Sequence, residues 1–193
     1  EEDEKILLDD QKSKVFMRTF KTRHSQRQLS LGYNIIEQRR RLKPQFVGLS
    51  QREINEIIWS KGKDEVAEEF EKIIFSYGGD SRPIDPQKVA ESLFLCHECT
   101  YLSIEDDERN FQQHSYLAEV LETAKAARVE NLLLFHTSLR YNLEELRQGI
   151  EDGIARINPS CRVLVLHGDS ILDTASPQSW KKRIQRERAR EKA

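Results

Sequence analysis

The stretch SLFLCHECT, residues 92–100, is a short apolar run that ends in titratable residues. Such a run, bounded by polar residues, is typical of a strand buried in a parallel sheet. KIIFSYGGD at residues 72–80 and NLLLFHTSLRY at residues 131–141 have the same form. Helix-like stretches separate the three runs, and this alternation predicts an α/β fold. Since the carboxyl ends of parallel strands meet at one edge of a sheet, we expect the chemistry there.

The composition limits the class of protein. With 193 residues, the chain is long enough for one domain with a sizeable core and short for two. Lys and Arg total 31 against 33 Asp and Glu, so the net charge of -2 gives no overall attraction to nucleic acid or membrane. No apolar stretch approaches the roughly 20 residues of a membrane helix, and the acidic start is unlike a signal peptide. We therefore expect a cytoplasmic protein without a membrane partner.

Three cysteines, Cys96, Cys99 and Cys161, form an odd and sparse set that is not a disulfide framework. Cys96 and Cys99 have the CxxC spacing of a zinc finger or a redox pair. However, no second CxxC and no downstream His pair at finger spacing accompany them. Reduced strand and turn thiols are therefore the favoured interpretation.

The chain divides into a long domain and a short tail. Two alternating stretches before residue 38 predict a β-hairpin, and strand–helix alternation is regular after residue 72. Residues 37–72 between them are highly charged and are interpreted as a helical insertion, in which residues 65–72 form a short acidic helix. We predict one domain over residues 1–176, followed by a charged tail over residues 177–193 that buries little.

Helical periodicity is clearest after His114. Apolar residues recur at the i, i+3, i+4 and i+7 positions from Leu117 to Ala124, which predicts a helix over residues 114–127 with one buried face. A shorter helix is predicted over residues 85–92. Both helices are expected to connect strands of the parallel sheet.

Three residues near strand ends are candidate metal ligands. Asp80 follows two glycines that let the backbone turn, and its carboxylate suits a divalent cation, although an aspartate after glycine also caps turns. His136 closes the third apolar run, where an imidazole is either a zinc ligand or a satisfied strand-end histidine. His24 lies in the polar hairpin loop, for which an exposed surface histidine is the ordinary interpretation.

Glu98 and His114 are candidates for a general-acid pair. Glu98 ends a strand, and a carboxylate can orient an imidazole and raise its pKa so that it donates a proton near neutrality. In the alternative interpretation, His114 only begins a helix and Glu98 forms a surface ion pair. His97 points to the opposite face of its strand and is interpreted as structural.

Four stretches in this order resemble the metallo-β-lactamase fold, and within it the ribonuclease Z branch, endonucleases that trim transfer RNA 3′ ends. They are RTFKTRHSQRQLSLGYNIIEQ, FSYGGDSRPID, LCHECTYL followed by QQHSYLAEVLETAKAA, and LLLFHTSLRY. They are similar to the family's His loop, Gly-Asp-Ser/Thr segment, His-Glu-Ala-Thr strand with its His-Ser-Thr helix start, and final His strand. The match covers about residues 14–157, and its order carries more weight than any single motif.

The resemblance implies an αββα sandwich of which this chain supplies mainly the C-terminal half. It implies a dinuclear zinc site, with manganese as the alternative ion, and zinc-dependent hydrolysis of a phosphodiester. It assigns His24 to one metal, His136 to the other and Asp80 to both as a bridge. It further assigns proton donation to the leaving group to His114. The remaining roles are the orientation of His114 by Glu98 and substrate contact by Ser138 and Arg140.

The sequence departs from the family in two respects. The family's His-x-His-x-Asp-His segment is absent from these 193 residues. We therefore expect a fragment of a longer protein, a chain whose first half is a separate polypeptide, or a relative that has lost metal chemistry; the first fits best. No clear Gly/Pro-rich arm of the family's type is visible, and Arg39, Arg40 and Arg41 are interpreted as a solvated helix face slightly ahead of a phosphate-binding patch.

The expected function is that of a ribonuclease Z-like phosphodiesterase. The expected partners are RNA or another phosphodiester substrate, a second copy in a homodimer, and the missing N-terminal half. One alternative is a hydrolase of a small ester, thioester or cyclic phosphodiester on the same fold. Another is a non-catalytic nucleic-acid-binding or scaffold relative with an incomplete metal site.

Overall fold

A computed structural model describes residues 4–10, 14–25, 29–107 and 113–191. One sheet contains eight strands, whose order in space is their order in the chain. The strands are β1 (Lys5–Asp9), β2 (Val15–Thr22), β3 (Ser30–Leu42), β4 (Ala67–Tyr77), β5 (Phe94–Glu98), β6 (Asn131–Phe135), β7 (Arg162–His167) and β8 (Ser170–Asp173). The helices are α1 (Gln51–Lys61), α2 (Lys63–Val66), α3 (Leu117–Ala127), α4 (Leu143–Ile157) and α5 (Pro177–Glu191). Short 3₁₀ turns lie at Pro44–Phe46, Pro86–Val89 and Ile104–Asp106.

The sheet is antiparallel at its two ends and parallel in the middle. Strands β1 to β4 form an antiparallel meander, β4 to β7 run parallel, and β8 turns back against β7. Because crossovers between parallel strands are right-handed almost without exception, successive parallel neighbours place their connecting helices on one face of the sheet. The α/β fold class predicted from the apolar runs is therefore confirmed.

The hydrophobic core lies between that face and the helices α3, α4 and α5. Leu132 and Leu134 of β6 are fully buried, whereas Leu133 between them is only half-buried. The core contains side chains from the sheet and from all three helices, among them Leu95, Val120, Leu121, Ile150, Val163, Val165 and Trp180. The alternation along β6 shows that the helices cover one face of the sheet and not the other.

The second face of the sheet carries a row of half-buried aromatic rings, which we name the aromatic face: Tyr33, Phe75, Tyr77, Phe94 and Phe135. Their rings contact one another across the strands. The centroids lie 5.4 Å apart between Tyr33 and Tyr77, 5.3 Å between Tyr77 and Phe135, and 6.3 Å between Phe75 and Phe94. An apolar sheet surface of this kind is normally packed against a second layer.

The charged insertion is a β-hairpin arm with a helical tip, so its prediction as a helical insertion is confirmed for α1 and wrong for the paired strands on either side of it. Strands β3 and β4 remain paired as far as Leu42 and Ala67, and α1 begins after a capping box at Ser50. Residues 65–72, predicted as a helix, belong mostly to β4. Pairing with β3 overrides the local helical propensity of this acidic segment.

The arginine run lies on β3 of this arm, where cross-strand and local carboxylates neutralise it. Arg41 pairs with Glu68 at 2.7 Å, Arg40 pairs with Asp64, and Arg39 pairs with Glu37 at 2.5 Å. The interpretation as a helix face is therefore wrong. Exposed pairs of this kind contribute little stability, but opposite charges on neighbouring strands favour this register.

Other boundaries differ from those predicted. Helix α3 begins at Leu117, so His114 lies in the preceding loop, and the predicted helix over residues 85–92 is a 3₁₀ turn. The tail forms α5, whose first half is docked on the body. Trp180 is 1% exposed, and the buried Arg183 pairs with Asp169 at 2.5 Å. The expectation that the tail buries little is therefore wrong for its first half.

Strands β1 and β8, both at sheet edges, were not predicted, because short edge strands have little apolar periodicity. None of the described helices is both long enough and apolar enough to cross a membrane.

His97 lies on the helix-covered face of β5 and is fully buried. Its Nδ1 lies 2.7 Å from the carbonyl oxygen of Glu98, and its Nε2 accepts a hydrogen bond from the backbone N–H of Ile84 at 3.2 Å. Burial lowers the pKa of His97 from 6.5 to about 4, although the bond to the Glu98 carbonyl opposes this. His97 is therefore a neutral core histidine, as its strand position predicts.

His97 makes folding stability depend on pH. As the pH falls from 6.5 towards 4, the unfolded chain takes up a proton that folded His97 cannot hold, so stability falls by about 3 kcal/mol in total. Urea unfolding at several pH values is the measurement. His97→Gln, which does not titrate, is expected to lose this part of the pH dependence; an unchanged slope in the variant would contradict the assignment.

Candidate active site

The predicted site residues lie at the carboxyl edge of the parallel strands. Glu98 is the last residue of β5, His136 follows β6, and Asp80 follows β4. Gly79 has a φ of 64°, a left-handed conformation that brings the chain sharply round before Asp80. Because these strands are parallel, their ends deliver all three side chains to the same edge.

Glu98 is a fully buried carboxylate that accepts five hydrogen bonds. Its Oε1 accepts from the backbone N–H groups of Ser81 at 3.2 Å and Ser115 at 3.1 Å. The same oxygen lies 3.0 Å from Nδ1 of His114. Its Oε2 accepts from the backbone N–H and the hydroxyl of Thr100, both at 2.9 Å. One side chain thus joins the segments after β4 and β5 to the loop before α3.

The ionisation of Glu98 is set by opposing effects. Burial raises its pKa above the ordinary value, whereas the charge of His114 and the hydrogen bonds from Thr100 and His114 lower it. The backbone N–H groups aimed at both oxygens can only donate, so this environment suits a carboxylate. Both oxygens are fully used by these donors, which suits an orienting role better than metal ligation.

His114 is held by its Nδ1 and lies among other rings. Because a carboxylate only accepts hydrogen bonds, Nδ1 of His114 donates to Glu98. The His114 ring centroid lies 5.1 Å from that of His24 and 5.3 Å from that of His136. The three imidazoles therefore form one row at the sheet edge.

His136 has a strained backbone. Its φ of 56° is left-handed, which is uncommon for a residue with a side chain and often marks a functional position. Its Nδ1 lies 3.0 Å from the hydroxyl of Thr100. Its Nε2 lies 3.5 Å from Oδ2 of Asp80, and both side chains are more than two-fifths exposed. This pair faces solvent at the open side of the site.

His24 reaches the site from the hairpin loop between β2 and β3. Its Nδ1 lies 3.2 Å from the carbonyl oxygen of Gln113, which can only accept, so Nδ1 donates. The backbone N–H of Arg82 donates to the carbonyl of Arg23 at 2.6 Å and joins this loop to the Asp80 segment. His24 is half-buried, so the interpretation as an exposed surface histidine, which is the ordinary one for a loop histidine, does not hold here.

The donor set fits a metal ion. The imidazole of His24 donates Nδ1–H to a carbonyl oxygen, an arrangement that frees Nε2 and is typical of metal-ligating histidines. Among the described residues, the trio whose ligand atoms lie within 4.8 Å of one another is Glu98, His114 and His136. Asp80 adjoins this trio through His136, and His24 adjoins it through His114. The structure thus brings the five predicted residues to one place.

Ser138 and Arg140 lie on the loop that follows His136. The backbone N–H of Ser138 donates to the carbonyl of Thr100 at 3.0 Å. The guanidinium of the exposed Arg140 donates to the carbonyl of Asp106 at 2.9 Å. These contacts anchor the loop beside the site without placing either side chain on the row of imidazoles.

Sequence reasoning missed the residues that support the site. Arg82 donates to the carbonyl of His114 at 2.7 Å and to Glu119 at 2.6 Å, and its guanidinium stacks 4.9 Å from the ring centre of Tyr116. Thr100 joins Glu98 to His136. Arg82 lies two positions after Asp80, and Thr100 lies two positions after Glu98. This proximity to predicted site residues is the sequence feature that could have indicated them.

Sequence comparison finds curated relatives named Ribonuclease Z. The chain is 43% identical over 74 residues to Ribonuclease Z of Thermococcus sibiricus, a match covering 37% of this chain and 24% of that protein. It is 28% identical over 144 residues to the chloroplastic tRNase Z TRZ2 of Arabidopsis thaliana, which is 70% of this chain and 39% of that protein. No protein-family model matches the chain.

Comparison of structures finds the metallo-beta-lactamase fold protein YhfI from Bacillus subtilis, with a TM-score of 0.53 and 16% sequence identity. The chain has the metallo-β-lactamase fold and is similar in sequence to ribonuclease Z. The alignment with YhfI covers 90% of this ribonuclease Z-like chain and 54% of the YhfI chain. The chain matches less than half the length of the two curated relatives.

The buried carboxylate is expected to matter for stability. Glu98→Gln replaces an acceptor oxygen with an amide that faces other donors, so the free energy of unfolding should fall by about 1 to 3 kcal/mol. Glu122→Gln on the exposed side of α3 is the matched control and should change stability by less than about 0.5 kcal/mol. Urea unfolding measures both; equal stability of the two variants would refute the central role of Glu98.

Proposed function

We propose that this chain contributes the second half of a metal-dependent hydrolase that cleaves phosphodiester bonds in RNA, as ribonuclease Z does. The observation that supports this most strongly is the pair of buried Glu98 and half-buried His114 beside the exposed Asp80–His136 pair. These two pairs place a candidate proton donor, fixed by a hydrogen bond, beside candidate metal-binding groups on one edge of the sheet. The similarity to proteins named Ribonuclease Z supports RNA as the substrate class.

Zinc is the proposed metal, with manganese as the alternative ion. His24 and His136 would each hold one ion through Nε2, and the Asp80 carboxylate would bridge the two. When bound, such a metal pair supplies an activated water and neutralises charge on the attacking and leaving oxygens. The remaining ligands are proposed to come from outside these 193 residues, where the family's His-x-His-x-Asp-His segment would lie.

His114 is the proposed general acid. Glu98 holds its Nδ1, which leaves Nε2 to carry the proton that the leaving oxygen receives. The hydrogen bond to the buried Glu98 carboxylate also fixes the direction of the His114 ring. The loop around His114 is tied down by Arg82, so the proton donor is positioned before the substrate arrives.

Substrate contact is proposed for the loop of Ser138 and Arg140. This loop borders the exposed Asp80–His136 pair, where a phosphodiester would enter. The arginine run of the arm is a poorer candidate, because its three guanidinium groups already pair with carboxylates. RNA binding by this chain would therefore depend more on the sheet edge than on Arg39, Arg40 and Arg41.

We also propose that the aromatic face packs against a second β-sheet, provided by the other half of the enzyme. Half-buried aromatic rings on a sheet gain stability by contact with another layer. The similarity to YhfI supports this occupant, since nearly half of that metallo-beta-lactamase fold chain has no counterpart here. The missing layer would arrive either as another segment of the same protein or as a separate polypeptide.

The roles of Asp80 and His114 can be separated by mutation in the complete enzyme. Asp80→Asn should abolish both metal binding and hydrolysis, because the bridging ligand is lost. His114→Ala should keep the metal and slow turnover about 10²- to 10⁴-fold, the usual contribution of a general acid. Metal content by elemental analysis and cleavage of precursor transfer RNA measure the two effects.

Three outcomes would change this proposal. Equal metal loss in both variants would refute the division of roles. Hydrolysis of bis-p-nitrophenyl phosphate without cleavage of precursor transfer RNA would favour the small-ester or cyclic phosphodiester hydrolase. Wild-type enzyme purified without chelator that contains neither zinc nor manganese would favour the non-catalytic relative.

The aromatic face can be tested on the 193-residue chain alone. The double change Phe75→Ser and Phe94→Ser should reduce binding of the dye ANS at least about twofold and reduce self-association, because it removes two stacked apolar rings from the open face. Leu139→Ser, in a loop where Leu139 is 93% exposed, is the control. Unchanged dye binding in the double variant would contradict an open apolar face. Light scattering in the same samples also reports any homodimer.

A further inference from the structure

The hydroxyl of Thr100 lies between the two halves of the candidate site. It is 2.9 Å from Oε2 of Glu98 on one side and 3.0 Å from Nδ1 of His136 on the other. Thr100 is 8% exposed, so water has little access to replace either contact. One oxygen thus joins the carboxylate that orients His114 to the imidazole that faces Asp80.

A single proton decides how these contacts are arranged. The hydroxyl has one proton to donate, whereas the carboxylate of Glu98 can only accept. A hydrogen bond to a charged acceptor is roughly twice as strong as one between neutral groups, so the hydroxyl proton is directed to Glu98. The Thr100 oxygen must then accept from His136, which requires a proton on Nδ1 of His136. Nε2 is left with a lone pair on the side of Asp80.

The opposite arrangement satisfies these groups less well. If Thr100 donated to His136, then Nε2 of His136 would carry the proton and would need an acceptor. Asp80 Oδ2 at 3.5 Å is beyond the usual length of an N–H···O hydrogen bond. Oε2 of Glu98 would then accept only one hydrogen bond, that from the backbone N–H of Thr100. The geometry therefore favours the tautomer with the proton on Nδ1.

We propose that Thr100 is a positioning residue that holds His136 in the Nδ1–H tautomer and so presents the Nε2 lone pair towards Asp80. Glu98 then sets the tautomers of two imidazoles, that of His114 directly and that of His136 through the Thr100 hydroxyl. The purpose of this arrangement rests on the proposed function, since the Nε2 lone pair would bind the metal. The tautomer itself is a property of the metal-free chain.

The backbone keeps Thr100 in this position. Its N–H donates to Glu98 at 2.9 Å, and its carbonyl accepts from the N–H of Ser138 at 3.0 Å. The second contact lies two residues beyond His136, whose left-handed φ turns the chain back towards Thr100. The hydroxyl and the imidazole are thus fixed relative to each other by the ends of β5 and β6.

The decisive measurement is the tautomer of His136 in the metal-free 193-residue chain, above the ordinary imidazole pKa. Long-range ¹H–¹⁵N correlation spectra distinguish a protonated ring nitrogen from a bare one, and His136→Gln assigns the signals. We expect Nδ1 protonated and Nε2 bare. A wild-type spectrum with Nε2 protonated overturns the proposal, and this result does not depend on any variant folding.

Two variants separate the hydroxyl from the shape of the side chain. Thr100→Val keeps the branched shape and should give a mixture of tautomers, together with about 10- to 100-fold weaker zinc binding in the complete enzyme. Thr100→Ser keeps the hydroxyl and should show the single Nδ1–H tautomer of His136 and zinc binding as strong as in the wild type. A single Nδ1–H tautomer in folded Thr100→Val overturns the proposal. If the tautomers are as expected but the complete enzyme binds neither zinc nor manganese, the proposed function is refuted and the positioning role of Thr100 remains supported.

Discussion

The site depends on one buried carboxylate. Glu98 has no exposed surface, and five donors from three separate segments converge on its two oxygens. A buried charge is costly unless it is paired and hydrogen-bonded, so each of these segments must be in place for Glu98 to be tolerated. The carboxylate therefore binds Nδ1 of His114 and joins the loops around the sheet edge.

Two of the left-handed residues in the described part of the chain lie at this edge. Gly79 and His136 are both left-handed, and each lies at the point where a strand ends and a site residue begins. A left-handed residue with a side chain is strained and persists where the surroundings demand it. At His136, the surroundings are Thr100, which contacts its ring, and Ser138, which bonds to the Thr100 carbonyl. The strain is consistent with a ring that must face Asp80.

The two faces of the sheet have different roles. One face is closed by α3, α4 and α5 and contains the core, including the neutral His97. The other presents the aromatic face beside the site, since Glu98 and Phe135 are register partners on neighbouring strands. The site and the aromatic face thus adjoin, and a layer that covered the aromatic rings would also border the candidate metal ligands. This adjacency links the proposed other half of the hydrolase to the completion of the site.

Local pattern alone determined the apolar strands, the α/β class and the polar residues at the strand ends, because burial of a parallel strand requires a continuous apolar run. The buried face of the helix from Leu117 to Ala124 could also be predicted from the sequence, since apolar residues recur there with the helical period. Only the tertiary structure decided that residues 67–72 lie on a strand and that Trp180 is docked. The hydrogen bond between Thr100 and His136 could not be predicted from the sequence either, because it joins residues 36 positions apart. These features depend on contacts between distant segments, which no local propensity encodes.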